Sequence, residues 1–248
     1  MEKSVHMITY GDQRFRLSKA RLAQEATESG FFKTVTSYGI ENIDSDFKEK
    51  VKLALRLRRK KGGGYWIWKP YLIKKRLSEI NEGEYLIYLD AGCSVNKDGH
   101  ERFNEYLDLI ANSEYGSLGL QLPHVERVWT KKEVLEHFGL SSTSEIATSG
   151  QVIATIIVLK KNAHSEKLVD LWYSKVIDHL TLFTDTKTLE QEEYFRDHRH
   201  DQSVFSIIRK MHGSVLISDD SWYEDWSDGS LIPFLAKRIN DKMMRKNK

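Results

Sequence analysis

The stretch Glu84-Tyr85-Leu86-Ile87-Tyr88-Leu89-Asp90-Ala91-Gly92-Cys93 decides how the chain is read. Tyr85 to Leu89 is an unbroken apolar and aromatic run, the pattern of a central strand covered on both faces of an α/β sheet. It stops at one acid, Asp90, followed by the small residues Ala91 and Gly92. Ligands of open α/β sheets bind at the carboxyl ends of the strands, and small residues there let a ligand approach the backbone. The same letters also fit a strand followed by a tight turn with a capping Asp.

The flanking segments extend the α/β reading. Val5 to Tyr10 reads as a first strand, Leu17 to Ser29 as a helix closed by Gly30, and Phe31 to Ser37 as a second strand. Strand, helix, strand at this spacing predicts a parallel βαβ unit. Asp46 to Lys61 is a basic amphipathic helix, either a solvated face or an attractor of anionic substrates or membranes. In Gly62 to Pro70 (GGGYWIWKP), three glycines precede Tyr65, Trp66 and Trp68, then Lys69. Such rings stack on flat ligands or pack at a helix entry, and Lys69 is the candidate polar contact. Pro70 is expected to open a helix over Tyr71 to Ile80.

Further on, Glu101 to Asn112 reads as a helix and Ser117 to Leu122 as a strand. Thr130 is expected to cap a helix over Lys131 to Phe138, with Glu133 as its reciprocal partner. His124 and Glu126 share a side if that segment is extended, as a structural pair or as catalytic groups. Ser149-Gly150-Gln151 introduces Val152 to Leu159, read as one buried strand, and Ser165 to Leu180 as a helix. Phe195 to Gln202 (FRDHRHDQ) leads into the helix Val204 to Met211, where Asp201 is either a dipole partner or an acid/base group. Ser214 to Ile217 reads as a last strand, followed by the acidic and aromatic run Ser218 to Trp226.

Composition bounds the function. The 248 residues hold 38 basic and 36 acidic groups, net +2, which gives no general pull toward nucleic acid. One cysteine, Cys93, excludes an internal disulfide and a cysteine-built zinc site. With no apolar leader at Met1 to Phe15 and no run near the roughly 20 apolar residues of a membrane span, a cytoplasmic location is expected. The basic tail Phe234 to Lys248 and the 46–61 helix allow peripheral contact with an anionic inner membrane face.

In order, the first strand with its basic loop, GGGYWIWKP, YLDAG, HVERVWTK, SGQ with its strand and HRHDQS resemble a bacterial-type family of GT-A-fold glycosyltransferases that build capsule and O-antigen polysaccharides. The resemblance runs from Val5 to near Trp222. It implies a single α/β domain over 1–248 with a Rossmann-like, mostly parallel sheet flanked by helices. A nucleotide-sugar half would span about 1–115, an acceptor half about 116–230, and the basic tail 234–248. Thr9, Tyr10, Arg14, Tyr65, Trp66, Lys69, Asp90, Ala91 and Gly92 would border the donor, a nucleotide sugar with a UDP-sugar first among the candidates. His124, Ser149, Gly150, Gln151, His200 and Gln202 would face a glycan or lipid-linked acceptor. Asp90-Ala91-Gly92 stands where many such enzymes have Asp-X-Asp, which binds Mn²⁺ or Mg²⁺. The third position here is Gly92, and one carboxylate is a weak anchor for such an ion unless His212 or Asp219 assists. Cationic side chains such as Lys69 and Arg14 are the other means of stabilising the leaving group. Asp201, then Glu126, are the candidate bases. A metal-dependent hydrolase using Asp90 and Asp201, and a non-catalytic carbohydrate-binding protein, are the rival readings.

Overall fold

The computed structural model describes residues 3–52 and 61–246. Strands β1 (Val5–Tyr10), β2 (Thr34–Tyr38), β3 (Tyr85–Leu89), β5 (Ser117–Val125), β6 (Gly150–Val152), β7 (Ile156–Lys160) and β8 (Val215–Ser218) form a seven-stranded sheet. A small ladder joins β4 (Ser94–Val95) to β9 (Phe234–Leu235). The five longer helices are α1 (Arg16–Ser29), α2 (Trp68–Glu79), α3 (His100–Ala111), α4 (Ala163–Asp178) and α5 (His200–His212).

β1 lies between β2 and β3 and is parallel to both, as the βαβ spacing predicts. β7 is antiparallel to β3 and to β5, and β8 is parallel to β5. β1, β2, β3, β5 and β8 therefore point one way, β6 and β7 the other: the sheet is mostly parallel, as expected.

Alternation within the strands divides the core. Ile8, Tyr10, Leu86, Tyr88, Ile157 and Leu159 pack with α2, α4 and α5 on one face. Val5, Met7, Tyr85, Ile87, Leu89, Ile156 and Val158 pack with α1 and α3 on the other. Burial on both faces is why β3 reads as an unbroken apolar run. At roughly 1.5–3 kcal/mol per fully buried large apolar side chain, these two layers supply the main stabilisation.

Two sequence expectations need correction. Val152 to Leu159 is not one strand. At Gln121, β5 pairs with both β6 and β8; at Leu118 it pairs with both β7 and β8. Hence β6 and β7 lie on one edge of β5 as a single line broken at Ile153 to Thr155. The break redirects backbone groups: the Ile153 carbonyl accepts from Arg209, the Ala154 carbonyl from Lys69, and the Thr155 carbonyl from the Asp90 N–H. Nor does Thr130 cap a helix. The short helix Lys132–His137 has Lys131 at its N-cap, while the Thr130 hydroxyl donates to Glu126 and Glu133 accepts from the backbone of Thr188 and Leu189.

The basic helix expected over Asp46 to Lys61 is present as Ser45–Lys50; positions 53–60 lie outside the described residues. The tail is in part structural. Phe234 is buried against α3, and Asp241 accepts from the backbone N–H groups of Leu17 and Ser18 at 3.0 and 2.8 Å, capping the start of α1. No helix among the described residues is long and apolar enough to cross a membrane.

Candidate active site

At the carboxyl edge of β1 and β3 opens a cleft of about 730 Å³, whose lining includes Tyr10 to Asp12, Asp90 to Cys93 and Asp197 to Gln202. One wall is a left-handed turn. Gly62, Gly63, Gly64, Tyr65 and Trp66 all have positive φ (51°, 66°, 108°, 58° and 57°). Only glycine adopts this region at no steric cost, which explains the triple glycine. A Cβ on Gly62 would also sit 2.2 Å from the Trp66 ring. The two non-glycine residues at the end of the turn are strained, as is His200 (φ 50°), whose ring stacks on Trp66 at 5.5 Å.

α2 starts directly after this turn and carries Lys69 inward. The Lys69 ammonium, 2% exposed, lies 2.8 Å from Asp201, 3.3 Å from Asp90 and 3.0 Å from the Ala154 carbonyl. The Tyr88 hydroxyl donates to Asp90 at 2.6 Å. Burial works to lower the Lys69 ammonium, but Asp201 and Asp90 outweigh it and hold it above its usual value. Burial pushes the Asp201 carboxyl up to about 6, against the opposing pull of Lys69. Burial, then Asp90, push the Tyr88 phenol far up, so it stays a proton donor to Asp90. The centre is one ammonium shared by two carboxylates that both line the cleft, Asp201 buried at its wall and Asp90 partly exposed.

The structure brings ten of the sequence candidates to this cleft: Tyr10, Arg14, Trp66, Lys69, Asp90, Ala91, Gly92, His200, Asp201 and Gln202. Others lie elsewhere. Thr9 is fully enclosed, and the Tyr65 hydroxyl turns to Asp185 at 3.4 Å. His124 and Glu126 do not share a side: Val125 ends β5, the His124 ring leans on Trp129, and Glu126 points into the interior. Glu126 is sealed among Thr130, Gln151, Ser206 and Lys210, with distances of 2.7 Å to Thr130 and 2.8 Å to Gln151 and Lys210. This leaves it no lone pair facing a ligand. Gln151 belongs to the same interior network, which reaches the cleft through Gln202, whose amide donates to Gln151 at 2.6 Å, and through Ser203, which accepts from Gln151 and from the Arg199 N–H. The Ser149 and Gly150 carbonyls accept from the Glu126 N–H and the Gln121 side chain, as loop structure.

The metal expectation also meets a correction. Asp201 and His212 sit at opposite ends of α5, roughly 16 Å apart along its axis at 1.5 Å per residue, so His212 does not join Asp90. Asp219 accepts from Ser221. A Cβ on Gly92 would meet the Arg238 Cα at 3.1 Å and the Ile239 carbonyl oxygen at 3.2 Å, so the chain itself fills the place of a second acid. Among the described residues no three His, Cys, Asp or Glu side chains are grouped to hold an ion. Mn²⁺ and Mg²⁺ want several oxygen ligands; one carboxylate already bonded to Tyr88 and beside an ammonium does not fit a resident dication.

Asp12, Asp197, His198, Arg199, Arg238 and Asn240 also line the cleft. Arg199 stood beside the Asp201 candidate in sequence. Arg238 carried no local signal, since it follows in a segment that reads as a surface amphipath.

No protein-family model and no curated protein matches the chain. Among solved structures, it is similar to a glycosyltransferase involved in the glycosylation of the major capsid of PBCV-1, at 7% identity and TM-score 0.51, covering 94% of this chain and 92% of that one. It is also similar to mouse xyloside xylosyltransferase 1, at 12% identity and TM-score 0.48, covering 97% and 99%. The fold is the GT-A type of mixed α/β structure.

Proposed function

We propose that the protein is a glycosyltransferase that moves a hexose from a nucleotide sugar, a UDP-sugar first among them, to a glycan or lipid-linked saccharide in surface polysaccharide synthesis. The observation that carries this reading is the Asp201–Lys69–Asp90 centre at the carboxyl edge of a GT-A-type sheet, flanked by aromatic rings. Tyr10, stacked on Trp68 at 3.8 Å, and Trp66 offer ring surface at the donor side. Asp201 is the base: it takes the proton of the acceptor hydroxyl as that oxygen bonds to the sugar's anomeric carbon and the bond to the diphosphate breaks. Attack from the face opposite the leaving group inverts the anomeric centre. Lys69 holds Asp201 in place and tunes its proton affinity.

The test is a panel of UDP-, GDP- and dTDP-sugars assayed for hydrolysis and transfer, with thermal shift alongside. Ligand binding to the folded state raises its melting temperature. Turnover of one donor, lost in Asp201→Asn with binding kept, supports the reading. A folded protein that neither binds nor turns over any of them refutes it.

A further inference from the structure

The proposed reaction transfers the sugar and releases an anionic nucleoside diphosphate, and the carboxylates among the described residues do not build a metal site to meet it. Among the described residues, the cleft is lined by five permanently or normally cationic side chains: Arg14, Lys61, Lys69, Arg199 and Arg238. Three of them are paired. Arg14 contacts Asp12 at 2.6 Å, Lys61 contacts Asp185 at 2.9 Å, and Lys69 is held between Asp201 and Asp90. Among the described residues, no carboxylate lies within 4.0 Å of the guanidinium of Arg199 or Arg238. We propose that Arg199 and Arg238 form the site for the diphosphate of the nucleotide donor, in place of a bound divalent cation. This rests on the transferase reading and names the part of the site that meets the leaving group.

Both arginines are positioned by structure. Arg199 precedes α5, its N–H bonds to the Trp129 carbonyl at 3.1 Å, and its guanidinium lies over the Trp129 ring at 4.1 Å. Stacking of this kind fixes the plane of the fork without using its donors. Arg238 is set by the strap of chain that closes over Gly92. The Ala236 N–H bonds to Ser221 at 2.7 Å, the Ile239 N–H to the Gly92 carbonyl at 2.9 Å, and Asp241 fastens the strap to α1. Between these fixed points Arg238 adopts φ 55°, a left-handed conformation uncommon for its type.

The strap therefore sets the backbone of Arg238 where a second acid would otherwise stand, and makes Arg238 part of the cleft lining. Burial, and then the nearby Arg238, lower the Arg199 guanidinium against the smaller opposing pull of Asp197 and Glu126, so the two like charges converge with partial compensation. Both also lower His124 after its burial. An arriving diphosphate relieves that repulsion and offers oxygens matched to two forked donors.

The test is calorimetric binding of UDP and GDP to the whole protein, first in EDTA and then in Mn²⁺. Wild type is expected to bind one of them in EDTA, with less than about threefold gain from Mn²⁺. Arg199→Gln and Arg238→Asn, the latter tolerant of positive φ, should each weaken binding by about tenfold or more. Arg238→Lys should recover part of the loss as a point charge, and binding should weaken with added salt.

Binding that appears only with Mn²⁺ overturns the inference. So does wild-type affinity in both folded variants, which leaves the transferase reading standing. Absence of any nucleoside diphosphate binding, with or without Mn²⁺, overturns both. Geranyl diphosphate serves as the lipid-linked probe: if it binds and nucleoside diphosphates do not, the arginines meet a lipid diphosphate and not a nucleotide donor, and the inference fails.

Discussion

Two buried carboxylate–lysine pairs of equal length sit in this molecule and have opposite characters. Glu126 and Lys210 are 2.8 Å apart, as are Asp201 and Lys69. Glu126 has three further donors and no access to the cleft; burial lowers the Lys210 ammonium. Asp201 shares its lysine with Asp90, lines the cleft, and is pushed up to about 6 by burial. The lesson is that burial and pairing alone do not mark a functional acid. Glu126 has its acceptor sites filled by fixed donors; Asp201, the proposed base, shares its one lysine and lines the cleft.

The comparison can be broken in order of expected effect. Glu126→Ala strands the buried Lys210, and breaking a buried pair this way costs about 3–5 kcal/mol. Chemical denaturation should show that loss; if stability is kept, the pair is not structural. Asp201→Asn should instead lower kcat by on the order of 10²–10⁴ with donor affinity largely unchanged, the range of a lost general base. Full turnover in that variant removes the base assignment.

Acidity sharpens the same contrast. As pH falls through about 6, Asp201 takes up a proton and turnover should fall with it, while Asp201→Asn shows no such limb. The stability sign is the reverse. A carboxyl raised above its unfolded value of about 3.9 contributes stability that is fully present below that value and lost as pH rises through about 6. Wild type should therefore gain on Asp201→Asn when acidified from pH 7 to pH 4, measured by urea midpoints; a constant difference would contradict the raised value. Smaller still, Gly92→Ala drives a methyl against the backbone of Arg238 and should cost about 1–3 kcal/mol, read as a lower Tm. An unchanged Tm would mean the strap yields freely.

The sheet was legible because burial on both faces leaves uniform apolar runs, and α1 because Gly30 ends it in a left-handed conformation (φ 74°). The break between β6 and β7 was not, since Val152 to Leu159 stays apolar across it and the reason for it lies in Lys69, Asp90 and Arg209. At the site, Lys69, Asp90 and Asp201 each stood out by local pattern. Their meeting did not, because it depends on the left-handed turn aiming α2. The burial of Glu126 stayed hidden for the converse reason: three of its four donors, Gln151, Ser206 and Lys210, come from distant segments, which no local window contains. Arg238 stayed hidden because nothing near position 238 shows that the chain returns to Gly92.

The strap has a kinetic side. Helix α1 receives its cap from a residue 223 positions away, so the helix cannot be finished by local folding. The contact closes a loop spanning most of the chain, among the slowest kinds to form. The cleft wall is thus expected to be the last part to assemble, and the helix start beside it the first to fray.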